Sequence, residues 1–341
     1  MSKSHPHFPK PTRSDETLRK YLRMTEQFVR RVQKMLNLPT EQRPTERQMC
    51  DFFIDLKTKV CASTWRHYEA AIRATIDYNG EWQDEILHEL LSDRAKAKIR
   101  AGDALPASLK RTSKKKQKAI SYQHLNSLIL YLRRPSNIAN RARLADFLVA
   151  LAALGLRPCE WFGARYLHNF GHPSLNVLNA KTSNGRGNGD EREFDLTNLS
   201  TETLGAIKRT VEWVDNFETK DCFESSLSTL AKLLTRSCEK VFPDGSVRPC
   251  FYTFRHQAIA NAKATFRESA GETEAAQCVA ALAGHATTQT AKTHYASSKS
   301  AWGPEERSDH CLPNPAQVMH VEVKKNAPAP SHLISRRRSK T

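Results

Sequence analysis

The stretch CFYTFRHQAIANAKATFRESAGETEAAQCVAALAGHATTQTAKTHYA, residues 250–296, decides how the rest of the chain is interpreted. It brings Arg255, His256 and His285 close in sequence to Tyr295. Apolar residues recur at helical spacing among alanines, which predicts a helix over the first half of the stretch. Arg255 and His256 then lie in the first turn of that helix, where free backbone N–H groups and the positive end of the helix dipole favour an anion.

Two more helices are expected in the same stretch. The segment after Gly271 predicts a helix that ends at Gly284, because glycine is a common C-cap residue. His285 is therefore expected in a loop just past a helix end. The threonines that follow can cap a last short helix, which carries Tyr295.

A second motif lies upstream, LADFLVALAALGLRPCEWFGARYL, residues 144–167. Its alanine- and leucine-rich first half predicts a helix that ends at Gly155. Arg157 follows in the turn, and Pro158 opens a new helix with Glu160 in its first turn.

A β-hairpin is predicted between the two motifs, in LNVLNAKTSNGRGNGDEREFDL, residues 175–196. One strand covers residues 175–180, a glycine- and asparagine-rich segment forms the tip, and the returning strand covers residues 193–196. Lys181 closes the first strand.

These residue types suit a phosphate group. A guanidinium matches two phosphate oxygens at once, and an imidazole can donate one more hydrogen bond. A phenol, whose free pKa is about 10, becomes a possible nucleophile when cations stabilise the charge that develops on it and on the phosphate.

With these motifs in this order, the chain resembles the tyrosine recombinase (phage integrase) family. The resemblance rests on GLRPCE, a hairpin lysine, FYTFRHQ, LAGH and a tyrosine shortly afterwards, and it covers roughly residues 120–296. Arg157 and Arg255 match the family's two catalytic arginines, and Lys181 matches its hairpin lysine. His285 matches its histidine and Tyr295 its nucleophilic tyrosine.

Two further positions belong to the candidate site. His256, directly after the second arginine, has a common family counterpart and is expected to support the site. Tyr252 stands three residues before Arg255, where the family usually has histidine or lysine, so it is a candidate donor there. The interval from His285 to Tyr295 is one residue longer than the commonest family spacing, which brings His294 into consideration.

The composition indicates a polyanionic partner. The chain has 341 residues, a formal net charge of +17 and a pI near 9.6. No apolar run approaches 18 residues, so no membrane-spanning helix is expected. The eight cysteines show no CxxC pairing, which favours reduced thiols over a metal site or a disulfide framework.

The expected fold is mainly α with a small β-hairpin or sheet, with a helical core-binding (SAM-like) domain before a mixed α/β catalytic domain. Helical periodicity starts near Ser14, and large aromatics such as Trp65 are interpreted as core. We predict a flexible arm at residues 1–13, the helical DNA-binding domain at 14–105 and a catalytic domain at 119–300. A basic tail at 301–341 is expected to be disordered or to dock on another protomer.

A basic linker, residues 106–118, is predicted between the domains. Together with the end of the preceding segment it supplies cations that are expected to contact DNA phosphates without reading bases. These are Lys96, Lys98, Arg100, Lys110, Arg111, Lys114, Lys115, Lys116 and Lys118.

The resemblance implies a site-specific recombinase or integrase of a mobile element, which joins Tyr295 to a DNA 3′ phosphate. Lys181 would protonate the leaving 5′ oxygen, and neither ATP, metal nor another cofactor would be required. The implied partners are double-stranded DNA and further copies of the chain, a dimer on each site and a tetramer in the synapse, with no membrane. The implied location is the cytoplasm, in association with the nucleoid, for a protein that a bacterium or a phage encodes. Two alternatives remain open: a recombinase-like DNA-binding protein with impaired chemistry, and a type IB topoisomerase-like enzyme.

Overall fold

A computed structural model describes residues 15–79, 117–169, 171–180, 187–289, 295, 297–307 and 309–323. The chain divides into two compact units, Met1–Lys115 and Lys116–Thr341. Residues 80–116, which include most of the predicted linker and all of the cations predicted to contact DNA except Lys118, lie outside the described residues. The predicted domain bounds therefore stay predictions.

The described part of the first unit is helical. Its helices are α1 (Asp15–Met35), α2 (Glu46–Lys59) and α3 (Ala62–Asn79). A capping box between Thr45 and Gln48 starts α2. The Thr25 and Thr75 hydroxyls share a buried hydrogen bond of 2.8 Å, which satisfies two polar groups inside the bundle. Trp65 is only 2% exposed, which confirms its place in the core.

The second unit surrounds a small sheet with helices. In chain order, its described elements are α4 (Tyr122–Arg133), α5 (Asn140–Leu154), a 3₁₀ helix (Pro158–Trp161), β1 (Arg165–Asn169), β2 (His172–Leu178), β3 (Glu191–Asp195), α6 (Thr201–Asp215), α7 (Lys220–Val241), α8 (Phe251–Ser269), α9 (Glu272–Leu282), 3₁₀ turns (Ser298–Ser300 and Glu305–Arg307), β4 (Leu312–Pro313) and α10 (Pro315–Met319).

The strands form one antiparallel sheet in the order β1-β2-β3-β4. Alternate side chains of β2 and β3 are buried, with Leu175 and Val177 on one strand and Arg192 and Phe194 on the other. The hairpin expected from the sequence is β2 and β3. The mainly helical architecture with a small sheet confirms the predicted fold class.

Helix α5 forms the centre of the second unit. Its residues are buried on several faces, as expected for a helix with other helices packed around it. It ends at Gly155, whose φ of +63° is a left-handed conformation that suits glycine. A Cβ there would lie 2.9 Å from Ala258 Cβ, so the end of α5 lies directly against α8.

The described residues of the C-terminal segment pack on this unit, and the predicted disorder or docking of the tail as a whole stays a prediction. Trp302 donates from Nε1 to the Ile120 carbonyl over 2.8 Å. Asp309 accepts hydrogen bonds from the backbone and hydroxyl of Ser200 at the start of α6. The Thr288 N–H donates to the Glu322 carbonyl over 3.2 Å. These contacts join residues far apart in sequence, so no periodic pattern in the local sequence predicts them. Residues 324–341 lie outside the described part.

Among the described residues, none of the helices has both the length and the apolar character needed to cross a bilayer.

Candidate active site

Helix α8 carries the first of the site residues. It begins at Phe251, so Arg255 and His256 lie in its second turn and not, as the sequence suggested, among the free N–H groups of the first. The apolar side chains of Phe254 and Ile259 anchor the helix in the core. Arg255 is only 1% exposed although it carries a full charge, so its surroundings must satisfy its donors.

Arg255 joins the ends of two helices to the candidate nucleophile. Its Nη1 donates to the Gly155 carbonyl at the end of α5. Its Nη2 donates to the Ala283 carbonyl at the end of α9 over 2.9 Å. Carbonyls at helix C-termini carry partial negative charge, which suits a guanidinium. The Tyr295 hydroxyl accepts from Nη2 over 2.6 Å and from Nε over 3.1 Å.

His285 follows α9, as the sequence predicts. Gly284 ends the helix with a φ of +69°, and the His285 N–H donates to the Ala280 carbonyl over 2.8 Å. The imidazole Nε2 lies 3.1 Å from the Tyr295 hydroxyl. Burial, together with Arg255 and nearby cations, lowers the pKa of His285 to about 3, so the ring is neutral near pH 7.

Tyr295 therefore lies where the sequence motifs converge. The Arg255 guanidinium carbon is 5.2 Å from the centre of its ring. The ring centres of His256 and His285 are 5.3 and 5.7 Å away. Residues 290–294, including His294 and most of the predicted short helix, lie outside the described residues.

Arg157 approaches the same cluster from the turn after α5. Its backbone N–H donates to Glu160 Oε2 over 2.7 Å, and its guanidinium pairs with Glu160 Oε1. Burial disfavours its charge, but Glu160 and then Tyr295 raise the pKa of Arg157 above its ordinary value. The charge of Arg157 is thus part of the field around the Tyr295 hydroxyl, although the described contacts include no hydrogen bond between the two.

Glu160 and Arg192 form the centre of the cluster. Arg192 Nη2 donates to Glu160 Oε2 over 2.7 Å, and Arg255 Nη1 lies 3.7 Å from the same oxygen. Burial raises the pKa of Glu160, but Arg192, Arg255 and Arg157 outweigh it and hold that pKa far below its usual range. None of the sequence motifs points to Arg192. The available signal was its position two residues before Phe194, because residues i and i+2 of a strand lie on the same face and Phe194 is buried.

The buried charges do not balance. Among the described residues, three guanidinium groups share the single carboxylate of Glu160, which leaves two positive charges uncompensated. Neutral His285 adds no charge. Uncompensated buried charge is costly, and an anion that binds beside the arginines relieves that cost. The cluster is therefore suited to an oxyanion such as a phosphate.

Two supporting candidates lie at the edge of the site. Tyr252 is 50% exposed; burial and Cys159 raise its pKa, although Arg255 and Arg157 oppose that change. Burial and nearby Lys118 lower the pKa of His256 to about 4. Its Nδ1 is buried and has no hydrogen-bond partner among the described residues.

The remaining predicted residues are only partly described. Lys181 lies outside the described residues, but the hairpin stem that precedes it reaches the site. The Ala180 N–H donates to Glu160 Oε1 over 3.4 Å, and Asn179 accepts from Arg192. Lys118 is exposed. No group of His, Cys, Asp or Glu that could hold a metal ion is found in the part of the chain that the structure describes.

Comparisons with known proteins give similarity in structure only. No protein-family model matches the chain, and no curated protein matches its sequence. Among solved structures, the chain is similar to protelomerase tela covalently complexed with substrate DNA, at 15% identity, covering 88% of this chain and 92% of that chain, with a TM-score of 0.40.

Two further solved structures are similar to the chain. One is the XerH site-specific recombinase bound to difH substrate, at 13% identity, covering 82% of this chain and 76% of that chain, with a TM-score of 0.43. The other is the Tn1549 transposon integrase in complex with a circular intermediate DNA, at 14% identity, covering 82% and 94%, with a TM-score of 0.41. At these TM-scores the similarities assign no function, and what the site can do follows from its own geometry.

Proposed function

We propose that the chain cuts and rejoins DNA as a tyrosine recombinase, with Tyr295 as the nucleophile. The observation that carries the proposal is the Tyr295 hydroxyl, 2.6 Å from Arg255 Nη2 and 3.1 Å from His285 Nε2. It lies beside a buried cluster that holds excess positive charge. A phenol aimed at such a cluster is suited to attack a phosphate that the cluster binds.

The proposed reaction is a transesterification. The Tyr295 oxygen attacks the phosphorus, its proton leaves to solvent, and the bond from phosphorus to the 5′ oxygen breaks. Lys181 supplies the proton that the 5′ oxygen takes up. The product is a 3′-phosphotyrosine and a free 5′-hydroxyl, and attack by another 5′-hydroxyl reverses the step. Because the ester keeps the bond energy, the reaction needs no ATP.

Arg157, Arg255 and His285 are proposed to hold the non-bridging oxygens as charge builds up. In the free protein, the Nε and Nη2 edge of Arg255 donates to the Tyr295 hydroxyl. That edge is the part of a guanidinium that forms paired bonds with phosphate. Phosphate binding there therefore requires the hydroxyl to leave this edge and to line up with the phosphorus.

The wider setting follows from the same chemistry. A net charge of +17 suits double-stranded DNA, and the cations of residues 96–118 are proposed to contact its phosphates. Exchange of strands between two duplexes requires several copies, so a dimer on each site and a tetramer at the synapse are proposed. The protein is proposed to act on a mobile element. Its proposed location is the bacterial cytoplasm, whether a bacterium or a phage encodes it.

The test uses a nicked suicide duplex, in which the released strand end diffuses away and traps the covalent intermediate. The native protein should accumulate a protein–DNA adduct that survives denaturation, and Tyr295→Phe should form none. Tyr122→Phe is the matched control, because Tyr122 packs against Trp302 in the same unit and makes no described contact with the site.

Each alternative has its own outcome. An adduct with Tyr295→Phe shows that another residue, such as Tyr252, is the nucleophile. Specific DNA binding without any adduct supports a binding protein that has lost its chemistry, an alternative favoured by Tyr252 at a position where the family usually has a base. Relaxation of supercoils without recombinant product supports a topoisomerase.

A further inference from the structure

Arg192 is the arginine of the cluster for which the proposed chemistry names no role. It lies in the middle of β3, and its side chain is only 1% exposed. Nη2 and Nη1 donate to the two oxygens of Glu160 over 2.7 and 3.3 Å. Nη1 also donates to Asn179 Oδ1, whereas Nε has no partner among the described residues. No contact joins Arg192 to Tyr295 in the described structure.

The neighbours of Arg192 are the supports of the other site residues. Glu160 pairs with Arg157 and lies 3.7 Å from Arg255. A Cβ at Gly284 would lie 2.6 Å from Arg192 Nη1 and equally close to Asn179 Oδ1. Arg192 therefore packs against the turn that presents His285.

The same side chain reaches the hairpin stem. Asn179, which accepts from Arg192, donates from Nδ2 to the carbonyls of Asn188 and Gly189 over 3.1 and 2.8 Å. These bonds join the two sides of the hairpin on which Lys181 is carried. One guanidinium thus links the hairpin, the Arg157 turn and the His285 turn.

Net stability does not explain a third buried arginine. Buried ion pairs are often no more stabilising than apolar side chains of the same volume, and here one carboxylate serves three cations. The arrangement instead determines which lone pairs of Glu160 accept from which arginine. Because Arg192 donates one hydrogen bond to each Glu160 oxygen, the carboxylate is fixed in orientation and leaves donors of Arg157 and Arg255 available to an oxyanion.

We propose that Arg192 is a positioning residue. It holds Glu160 and the His285 turn in place so that Arg157, Arg255 and His285 converge on one phosphate. The inference rests on the proposed function. Since Arg192 does not touch the phosphate, its replacement is expected to slow the chemical step much more than it weakens DNA binding.

The experiment compares Arg192→Lys with native protein in single-turnover cleavage of the suicide duplex. Lysine keeps the charge but cannot bridge both Glu160 oxygens and Asn179. Cleavage should slow about 10²-fold, as expected for misplaced catalytic groups, while the Kd for the duplex changes less than about threefold. In Arg192→Ala, added guanidinium ion should restore part of the cleavage rate without changing the Kd.

Arg307→Lys is the matched control. Arg307 is also buried, pairs with Glu268 and donates to the Trp302 carbonyl, but it lies outside the proposed site. Arg307→Lys should lower the thermal midpoint of unfolding and leave the rate of single-turnover cleavage unchanged. If Arg192→Lys does not fold, Asn179→Ala replaces it, because it removes one anchor of Arg192 and keeps every charge; cleavage should then slow about tenfold.

Three results would overturn the inference or its basis. Native-rate cleavage by a folded Arg192→Lys protein removes the positioning role. A loss of cleavage that follows thermal stability equally in Arg192→Lys and Arg307→Lys shows a structural role only. A native protein that binds the duplex but forms no adduct overturns the proposed function itself, and the Arg192 proposal with it.

Discussion

Arg255 illustrates how a single side chain defines this site. Its guanidinium donates to the carbonyls of Gly155 and Ala283 and to the Tyr295 hydroxyl. Two of these partners belong to helix ends that are fixed by the core, so the guanidinium has one orientation. Only the hydroxyl belongs to a side chain that can exchange for a phosphate oxygen.

Replacement of Arg255 by lysine should therefore remove chemistry without removing charge. An ammonium group cannot keep both carbonyls and still present a paired edge to phosphate. We expect single-turnover cleavage to fall about 10²- to 10³-fold, the usual loss for one donor of this kind. Arg267→Lys, on the same helix, is the control, since the hydrogen bond that Arg267 donates within the described residues goes to Ser298. Equal rates for the native and Arg255→Lys proteins would contradict the role of Arg255.

The two histidines predict how stability depends on pH. The pKa of His285 is lowered to about 3 and that of His256 to about 4, whereas an unfolded histidine has a pKa of about 6.5. Between pH 6.5 and about 4.5 the unfolded chain binds protons that the folded protein does not, so the free energy of unfolding decreases as the pH falls. Above pH 6.5 this contribution is fully present.

Denaturant unfolding of the full chain at a series of pH values measures this effect. His256→Asn should reduce the slope of stability against pH in the window from 6.5 to 4.5, because one of the protons is no longer taken up on unfolding. Ordinary carboxylates titrate mainly below this window. An unchanged slope in both His256→Asn and His285→Asn would contradict the assignment.

At the scale of elements, the site is built where helices stop. Gly155 and Gly284, both with left-handed backbone, follow the last turns of α5 and α9. Arg157 comes two residues after the first glycine and His285 directly after the second. Each glycine also allows close contact, with Ala258 in one case and Arg192 in the other. The turns therefore combine a required backbone conformation with packing that permits no side chain.

Gly155→Ala tests the packing requirement. Its φ of +63° makes alanine strained, and the new Cβ would lie 2.9 Å from Ala258 Cβ. Strain and overpacking together should cost about 2–4 kcal/mol of unfolding free energy. Gly171→Ala is the control, because Gly171 has a φ of +85° but nothing within 4 Å of its Cβ position. Gly171→Ala should cost about 1–2 kcal/mol from strain alone, so equal losses would contradict the packing argument.

Local signals explain what could be predicted at this scale. Apolar periodicity and glycine caps predicted α5, α8 and α9, and placed Arg157 and His285 just beyond helix ends. β1 and β4 were missed, since a five-residue and a two-residue strand acquire their conformation by pairing with β2 and β3. Arg192 was missed for a similar reason, because charge suggests a solvated face and only tertiary contacts make that face internal.

At the scale of the whole molecule, charge dominates. The chain has 53 Lys and Arg against 36 Asp and Glu. Such an excess attracts DNA irrespective of sequence and makes affinity depend on salt, because each phosphate contact releases a bound counterion. Base recognition must come from other contacts, which supply specificity and not the bulk of the attraction.

The basic linker is predicted to contribute a measurable share of this salt dependence. Each phosphate contact contributes about 0.9 to the slope of log Kd against log salt concentration. Replacing Lys114, Lys115, Lys116 and Lys118 by glutamine should therefore lower that slope by up to about 3–4 in a duplex-binding titration.

The matched control removes the same number of positive charges from residues that are already paired with acids. These are Lys20 with Glu16, Arg47 with Asp51, Lys59 with Asp55 and Arg209 with Asp146. Their replacement should change the slope less than the linker variant does. Equal changes would show that the linker acts only through net charge.

The position of Tyr295 along the chain sets a limit on the reaction. Tyr295 follows Thr288, which is hydrogen-bonded to Glu322, by seven positions and precedes Trp302, which is hydrogen-bonded to Ile120, by seven positions. Seven residues extend at most about 25 Å. In the proposed reaction, a severed DNA strand attached to Tyr295 would therefore stay tethered from both directions to the unit that cut it, and any incoming strand would have to come within that radius to be joined.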